Sequence, residues 1–242
     1  MNNTNTIGQA KAKKEIEVVF EADGEQVKLT PTIVQNYIVG EQNGKITMPE
    51  FKMFTALCKA RALNPFLKEA YCIKFNDNTP AQIVVGKDAV LKRAVRNPNY
   101  DGKENGVIVQ VIETGEIIER KGTFYIPAEE RLVGGWAKVY RKDWNNPTYC
   151  SVSFEEVAQR KKDGSLNSNW AGKGATMVEK VAVVRALRET FVEDLGGMYE
   201  AEEMGVELSK DNTVQTQEII EQNEPIEVEA VSIDNVVSMD DI

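Results

Sequence analysis

The sequence of 242 residues contains no histidine, and this absence removes several kinds of chemistry at once. Without an imidazole there is no histidine general base, no Ser-His or Cys-His nucleophile pair and no histidine metal ligand. The composition therefore argues against most metallohydrolases and many nucleases. A magnesium site built from carboxylates alone stays open.

Cysteine is scarce as well. Cys58, Cys72 and Cys150 are far apart in the chain, and no two of them have CxxC spacing. This pattern favours neither a disulfide framework nor a zinc site, and it is typical of buried thiols in a reducing compartment.

Long apolar runs are also absent. No stretch reaches the length of about 18 apolar residues that a membrane-spanning helix needs. The polar first residues, MNNTNTIGQAKAKKEIE, lack the apolar core of a signal peptide. We therefore expect a cytoplasmic protein with no membrane partner.

Nucleotide-binding and catalytic motifs are missing. Gly172–Gly174 is the closest approach to a phosphate-binding loop, but Asn167 stands where the loop requires its first glycine, and no Ser or Thr follows Lys173 directly. Neither GxGxxG nor GxSxG occurs, and no acidic cluster stands out as a two-metal site. We expect no catalytic residues and no ATP hydrolysis.

Charge is distributed unevenly along the chain. The whole chain has 29 basic and 38 acidic residues, a net charge of -9. Residues 199–242 hold thirteen acidic residues and one basic residue, whereas residues 45–190 carry a net charge of +7. A basic body that meets a polyanion and an acidic tail with another role would explain this asymmetry, although such tails also serve simply as solubilising segments.

Turn and capping signals organise the N-terminal half. Asp23-Gly24 lies between two strand-like stretches and predicts a hairpin, while Thr30-Pro31 and the capping box Thr47–Glu50 predict two helix starts. Residues 87–96 have one apolar and one basic face, which predicts a short helix. Strands are predicted over residues 70–75, 81–85, 107–113, 116–121, 132–141 and 148–154.

Helices return in the C-terminal half. Ser153–Glu156 reads as a second capping box, with Arg160–Lys162 in the last turn of its helix. We expect a loop over Gly164–Gly174 and the longest helix over residues 175–195. The fold class is then α+β, with β-hairpins forming an antiparallel sheet packed against helices (a β-β-β-α type core) and a helical N-terminal part. The predicted domains are an N-terminal segment with a hairpin (1–29), a folded core (30–200) and an acidic, mostly disordered tail (201–242).

Cations alternate with aromatic side chains in the basic body. Lys138 shares a predicted strand face with Trp136 and Tyr140, and Lys161, Lys162 and Trp170 stand close together in sequence. Single-strand binders combine cations for phosphates with flat side chains for bases. A solvated basic face with core aromatics would give the same pattern, so both interpretations stay open at this point. Trp136 and Tyr140 suit a core, whereas Trp144 and Trp170, in Asn-rich segments, suit exposed positions.

Five segments carry a resemblance to a known family. They are FKMFTALCKARALNPF (51–66), AYCIKF (70–75), IVVGKDAVLKRAVR (83–96), NWAGKGATMVEKVAVVRALR (169–188) and LGGMYEAEEM (195–204). In this order they resemble the RecT/Bet (Redβ-like) family of phage single-strand annealing recombinases over roughly residues 30–205.

The resemblance implies a function without catalysis. Such proteins bind single-stranded DNA left by a partner exonuclease and anneal it to a complementary strand in phage homologous recombination, without ATP. They form homo-oligomeric rings and helical filaments with the annealed duplex in a basic groove, so the resemblance implies that residues 30–200 are a core for DNA binding and oligomerisation. No cofactor is implied, although magnesium, not tightly bound, could assist duplex annealing. The tail would contact the exonuclease and the host single-strand binding protein, and it could also compete with DNA.

The resemblance and the cation–aromatic pattern together give the candidate site. By resemblance the groove falls on Lys87, Lys92, Arg93, Arg96, Arg141, Lys173, Lys180, Arg185 and Arg188. The pattern adds Lys138, Lys161, Lys162 and Trp170. Two alternatives remain open: a passive single-stranded DNA-binding protein, and a magnesium-dependent DNA-processing enzyme.

Overall fold

The computed structural model describes residues 15–40 and 44–204. Its strands are β1 (Val18–Ala22), β2 (Glu25–Leu29), β3 (Ala70–Ile73), β4 (Gln82–Val85), β5 (Tyr100–Val111), β6 (Ile117–Lys121), β7 (Glu130–Arg141) and β8 (Thr148–Ser153). Its α-helices are α1 (Pro31–Ile33), α2 (Met48–Ala60), α3 (Lys87–Arg96), α4 (Phe154–Val157), α5 (Ser168–Thr190) and α6 (Val192–Leu195). A π-helical stretch (Val34–Gly40) continues α1, and a 3₁₀ turn (Pro65–Leu67) precedes β3.

Local signals in the sequence produce the N-terminal elements as predicted. Asp23 and Gly24 adopt positive φ angles of 56° and 84°, which close the β1–β2 hairpin. The Thr30 hydroxyl accepts a hydrogen bond from the Ile33 backbone N–H and starts α1. At α2 the full capping box forms, because Glu50 accepts from the Thr47 N–H while Thr47 accepts from the Glu50 N–H.

A four-stranded antiparallel sheet with the order β6-β5-β7-β8 forms the centre of the fold. Helix α5 packs against it and buries Val181, Val184 and Leu187. The packing is close at Gly135 of β7, where an added Cβ would stand 2.6 Å from the carbonyl oxygen of Val178. The α+β class with antiparallel sheets is confirmed.

The predicted helix and loop between residues 153 and 174 are wrong in part. Helix α4 has only four residues, and the Ser153 side chain makes no capping bond. Arg160 instead forms an isolated bridge with Leu166, so the cations at 160–162 lie on a turn and not in a last helical turn. Helix α5 begins early because the Asn167 side chain caps it by accepting from the Trp170 N–H.

The chain continues as packed structure past residue 200, where we placed the boundary. The Tyr199 carbonyl accepts a hydrogen bond of 2.8 Å from the Val85 N–H, and Ala201 is buried with Ile73 and Val84. The predicted acidic tail beyond Met204 and the first 14 residues lie outside the described residues.

Two of the three cysteines are buried as expected. Cys58 and Cys72 lie in the core, and burial raises the pKa of each thiol to about 12. Cys150 is partly buried, and burial raises its pKa as well. All three are free thiols, so none of them contributes a disulfide.

Candidate nucleic-acid interface

The predicted groove cations fall into two groups in the part of the chain that the structure describes. One group already has carboxylate partners: Lys87, Lys92, Arg96, Arg141, Lys180, Arg185 and Arg188. The other group forms no ion pair within residues 15–40 and 44–204: Arg93, Lys138, Lys161, Lys162 and Lys173. Phosphate contacts therefore require release of a carboxylate in the first group and none in the second.

The α3 cations face the N-terminal hairpin. Lys92 Nζ lies 2.6 Å from a Glu69 carboxylate oxygen and also pairs with Asp23, while Arg96 pairs with Asp23. These hydrogen bonds, from Arg96 first and then Lys92, lower the pKa of the Asp23 carboxyl. The turn of the β1–β2 hairpin therefore makes an ionic contact with α3. Asp23 and Arg96, which form this contact, are 73 positions apart in the sequence.

Arg93 is an unpaired cation on the same helix. Burial lowers its pKa, and the neighbouring Arg61 guanidinium lowers it further. Arg61 itself donates to the carbonyl oxygens of Glu193, Asp194 and Gly196. Two guanidiniums thus stand close to the chain that follows α5.

Lys87 lies where α3 meets α5. Its Nζ is 3.3 Å from a carboxylate oxygen of the buried Glu179. Asn105 of β5 donates to the other Glu179 oxygen, and Lys103 donates in turn to Asn105. Glu179 therefore holds a small polar network at the junction of α3, β5 and α5, and Lys87 belongs to it.

The α5 cations face the acidic chain that follows α6. Lys180 Nζ lies 3.0 Å from Glu202 and 3.4 Å from Glu200. Arg188 donates to both carboxylate oxygens of Glu203, at 2.7 and 2.6 Å. Arg185, between them, pairs with Glu203 at 3.7 Å. The ionic contacts of this helix face are made mainly by residues 200–203.

Arg185 has a second carboxylate partner on α4. Its Nη1 donates to Glu156 at 3.1 Å. Glu156 is exposed, so solvent weakens this contact.

Arg141 serves the C-terminal end of α5. It donates to the Thr190 carbonyl oxygen at 2.9 Å and pairs with Asp143 at 2.8 Å. Its guanidinium also stacks 4.7 Å from the Trp144 ring centroid and 5.2 Å from that of Phe191. By donating to a carbonyl oxygen in the last turn of α5, Arg141 caps the helix. This capping role explains much of where its side chain lies.

Lys138 lies between two aromatic rings. Its Nζ is 5.3 Å from the Trp136 ring centroid and 5.6 Å from that of Tyr149. Trp136 is buried as predicted, and its indole N–H donates to the Arg120 carbonyl oxygen at 3.2 Å. Tyr149, by contrast, is 45% exposed, so this cation and this ring share an accessible surface.

Lys161, Lys162 and Lys173 are exposed lysines. The first two lie on the turn between α4 and α5, and Lys173 interrupts the helical geometry of α5 with φ of -138° and ψ of 33°. None of the three forms a hydrogen bond or an ion pair through its side chain within the described ranges. A phosphate can reach them without breaking an existing bond.

Trp170 is in the core, contrary to our expectation of an exposed position. It is 1% exposed and packs edge-on against Phe154, with ring centroids 5.5 Å apart. It also lines a cavity of about 690 Å³ together with Tyr125 and Leu132. Its role in DNA binding stays a prediction, but direct base stacking would require the core to open. Trp144 is 45% exposed, as expected.

Sequence reasoning missed two parts of this surface. Tyr149 was read only as part of a strand, although its ring lies beside Lys138. Glu202 and Glu203 fall in the predicted tail, although they contact the α5 cations. The sequence does contain a signal for these acidic residues. YEAEE (199–203) follows the basic helix and lies in a segment that resembles the family.

The described residues contain neither a metal-ligand cluster nor a membrane-spanning helix. Within 15–40 and 44–204, no three Asp, Glu, Cys or His side chains are grouped as metal ligands would be. In the same ranges, no helix has the length and apolar character needed to cross a membrane.

The family comparison gives an extensive match. The model of the RecT family matches residues 25–220, a range that includes α3, the central sheet, α5 and the acidic residues after α6. A search of curated proteins finds no match. Because the family model covers most of the chain, this protein belongs to the RecT family.

Proposed function

We propose that this chain binds single-stranded DNA and anneals complementary strands without ATP in phage-type homologous recombination. RecT family proteins are recombination and single-strand annealing proteins and generally do not hydrolyse ATP, so the family match over residues 25–220 is the observation that carries the proposal. We further propose that copies of the chain assemble into rings or helical filaments and hold the annealed duplex in a basic groove.

The unpaired cations support contacts to the DNA backbone. Lysines that neutralise phosphates release condensed counterions, and this offsets the repulsion between two approaching strands. Contacts to phosphates carry no sequence information and leave the base edges free to pair. Lys161, Lys162 and Lys173 meet this requirement directly because they have no carboxylate partners in the described structure.

Exposed rings beside cations support contacts to the bases. Trp144 lies beside Arg141 and Tyr149 beside Lys138, and both rings are 45% exposed. Stacking of a base on such a ring contributes about 1–3 kcal/mol and tolerates any sequence. We propose Trp144 and Tyr149 as stacking positions, because Trp170 is buried.

The partners and conditions complete the proposal. We propose that the acidic chain beyond residue 204 contacts the partner exonuclease and the host single-strand binding protein. Magnesium would assist annealing by screening phosphates and would not occupy a tight site. The protein would act in the cytoplasm of the host cell.

An annealing assay tests the function. Two complementary oligonucleotides are added in sequence to the full-length protein, without ATP, at two salt concentrations and with or without magnesium. We expect duplex to form faster than it does spontaneously and to stay bound in a large complex.

Two results would replace the proposal. Binding of one strand with no acceleration of pairing would indicate a passive single-stranded DNA-binding protein. Cleavage of labelled DNA that depends on magnesium and on the protein would indicate a DNA-processing enzyme.

A further inference from the structure

The chain after α6 forms an acidic segment that lies against the cations of α5. We call residues 199–204 the acidic strap. Glu202 lies 3.0 Å from Lys180, and Glu203 makes a two-pronged contact with Arg188 at 2.6 and 2.7 Å. The strap therefore covers three of the cations that were predicted to bind DNA, because Arg185 also faces Glu203.

The carboxylates of the strap are anions bound by the same donors that would bind a backbone phosphate of DNA. A guanidinium binds a carboxylate and a phosphate with the same pair of parallel N–H donors. The Arg188 side chain is only 16% exposed and the Lys180 side chain only 21% exposed while the strap is in place. A phosphate can reach these donors only if a carboxylate leaves.

Few contacts outside the ionic ones hold the strap. The Tyr199 carbonyl accepts from the Val85 N–H, and the Ala201 carbonyl accepts from the Gln159 side chain at 3.4 Å. Ala201 packs against Ile73 and Val84, and the Tyr199 ring covers the Arg188 guanidinium at 4.5 Å. This is a short attachment compared with the long packed interface of α5 with the sheet. Release of the strap would break these contacts but none of those between α5 and the sheet.

One carboxyl group of the strap is buried without hydrogen-bond partners among the described residues. Both carboxylate oxygens of Glu200 are buried without a hydrogen bond to any described residue, and the contact with Lys180 is a 3.4 Å ion pair only. Burial raises the pKa of Glu200 to about 8, an effect that Lys180 opposes and Glu202 reinforces. A buried carboxyl of this kind is costly to keep in place.

We propose that the acidic strap is a built-in competitor that occupies the phosphate sites of Lys180, Arg185 and Arg188, and that single-stranded DNA displaces it. The inference rests on the proposed function and adds its regulation. In the closed form α5 is neutralised internally, which keeps this face from binding weak anions. A DNA strand already held by the unpaired lysines supplies phosphates at high local concentration and exchanges with the strap.

Removing two strap charges tests the competition. In the double variant Glu202→Gln and Glu203→Gln, single-stranded DNA should bind about tenfold more tightly at low salt, because a larger fraction of the protein is in the open state. The salt dependence should steepen, because in the wild type added salt also weakens the ion pairs of the strap, and this offsets part of the effect of the counterions that the DNA releases on binding. Fluorescence titrations with a labelled oligonucleotide at four salt concentrations measure both quantities.

A matched control separates the strap from net charge. Glu113 and Glu129 are exposed and lie outside the strap, so Glu113→Gln with Glu129→Gln removes the same charge. We expect less than a twofold change in affinity and no change in the salt dependence. Equal effects of the two double variants, or unchanged or weaker binding in the strap variant, would overturn the proposal.

A second measurement uses the unmodified protein, so it does not depend on the folding of a variant. Hydrogen exchange of the peptide over residues 197–204 should become faster when single-stranded DNA is added. Unchanged or slower exchange would show that the strap stays in place and would overturn the proposal. If the wild-type protein binds no single-stranded DNA, the proposed function itself has failed; if it binds and anneals while the strap readouts stay unchanged, only the strap proposal has failed.

Discussion

The Glu50 carboxylate joins three parts of the chain at a single residue. It accepts two bonds from Lys74 Nζ, at 2.7 and 2.9 Å, and one each from the backbone N–H groups of Thr47 and Ala81. Burial alone would raise its pKa, but these donors lower the pKa to about 2 from the ordinary 4.5. Lys74 is 3% exposed, so it depends on this partner.

We expect Glu50→Gln to destabilise the fold by about 3 kcal/mol, because it leaves a buried ammonium without its counter-charge. The lowered pKa makes Glu50 contribute stability above pH 4.5 that is lost as the pH falls toward 2. Urea unfolding between pH 7 and 3 should therefore show a steeper acid loss for the wild type than for the variant. The double variant with Lys74→Met should recover part of the loss, and a double variant less stable than Glu50→Gln would contradict the pair.

The exposed lysines give a second prediction at the residue scale. Replacing Lys161, Lys162 and Lys173 together with Ala should weaken the binding of single-stranded DNA equally for all sequences. The slope of log affinity against log salt should fall by about 2, because each single-strand phosphate contact contributes about 0.7. Salt titrations with two oligonucleotides of different sequence measure this. Replacing the exposed Lys28, Lys52 and Lys59 removes the same charge outside the predicted groove and should leave the slope unchanged. An equal loss in both variants would indicate a general charge effect and no defined groove.

At the scale of elements, α5 approaches the sheet closely at Gly135 of β7. An added Cβ on Gly135 would stand 2.6 Å from the Val178 carbonyl oxygen, whereas an added Cβ on Gly172 meets nothing within 4 Å. We expect Gly135→Ala to cost about 2 kcal/mol, because α5 must move away from β7. Gly172→Ala should be neutral or stabilise α5 by up to about 1 kcal/mol. Chemical denaturation measures both, and similar values for the two would show that the contact relaxes without cost.

The elements that the sequence predicted well are those whose signals are local. The Asp23-Gly24 turn and the Thr47–Glu50 capping box decide their structure within a few residues, and both form as predicted. The segment from Ser153 to Lys173 is different, because its structure depends on a distant contact. The Asn167 cap is a local signal that starts α5 at Ser168, but the burial of Trp170 against Phe154 joins the two ends of this segment and is not visible in any spacing pattern.

At the scale of the whole molecule, the sequence located the basic segments but not their partners. Lys92 pairs with Asp23 and Glu69, and Lys180 pairs with Glu202, across 69, 23 and 22 positions of sequence. Only the folded chain brings these charges together. A count of cations along the sequence therefore overstates the positive charge that the folded surface presents.

Charge balance also predicts what the chain beyond Met204 does to DNA binding. Residues 205–242 carry a net charge of -9, whereas residues 1–204 have a net charge of zero. Truncation after Met204 leaves the acidic strap in place and removes a large negative charge that repels DNA. We expect tighter binding and faster association near 0.05 M salt, and we expect the difference to fade at about 0.5 M, where screening shortens electrostatic interactions to a few ångströms. Stopped-flow measurements on the truncated and full-length proteins test this, and unchanged or weaker low-salt binding after truncation would show that the tail does not oppose DNA.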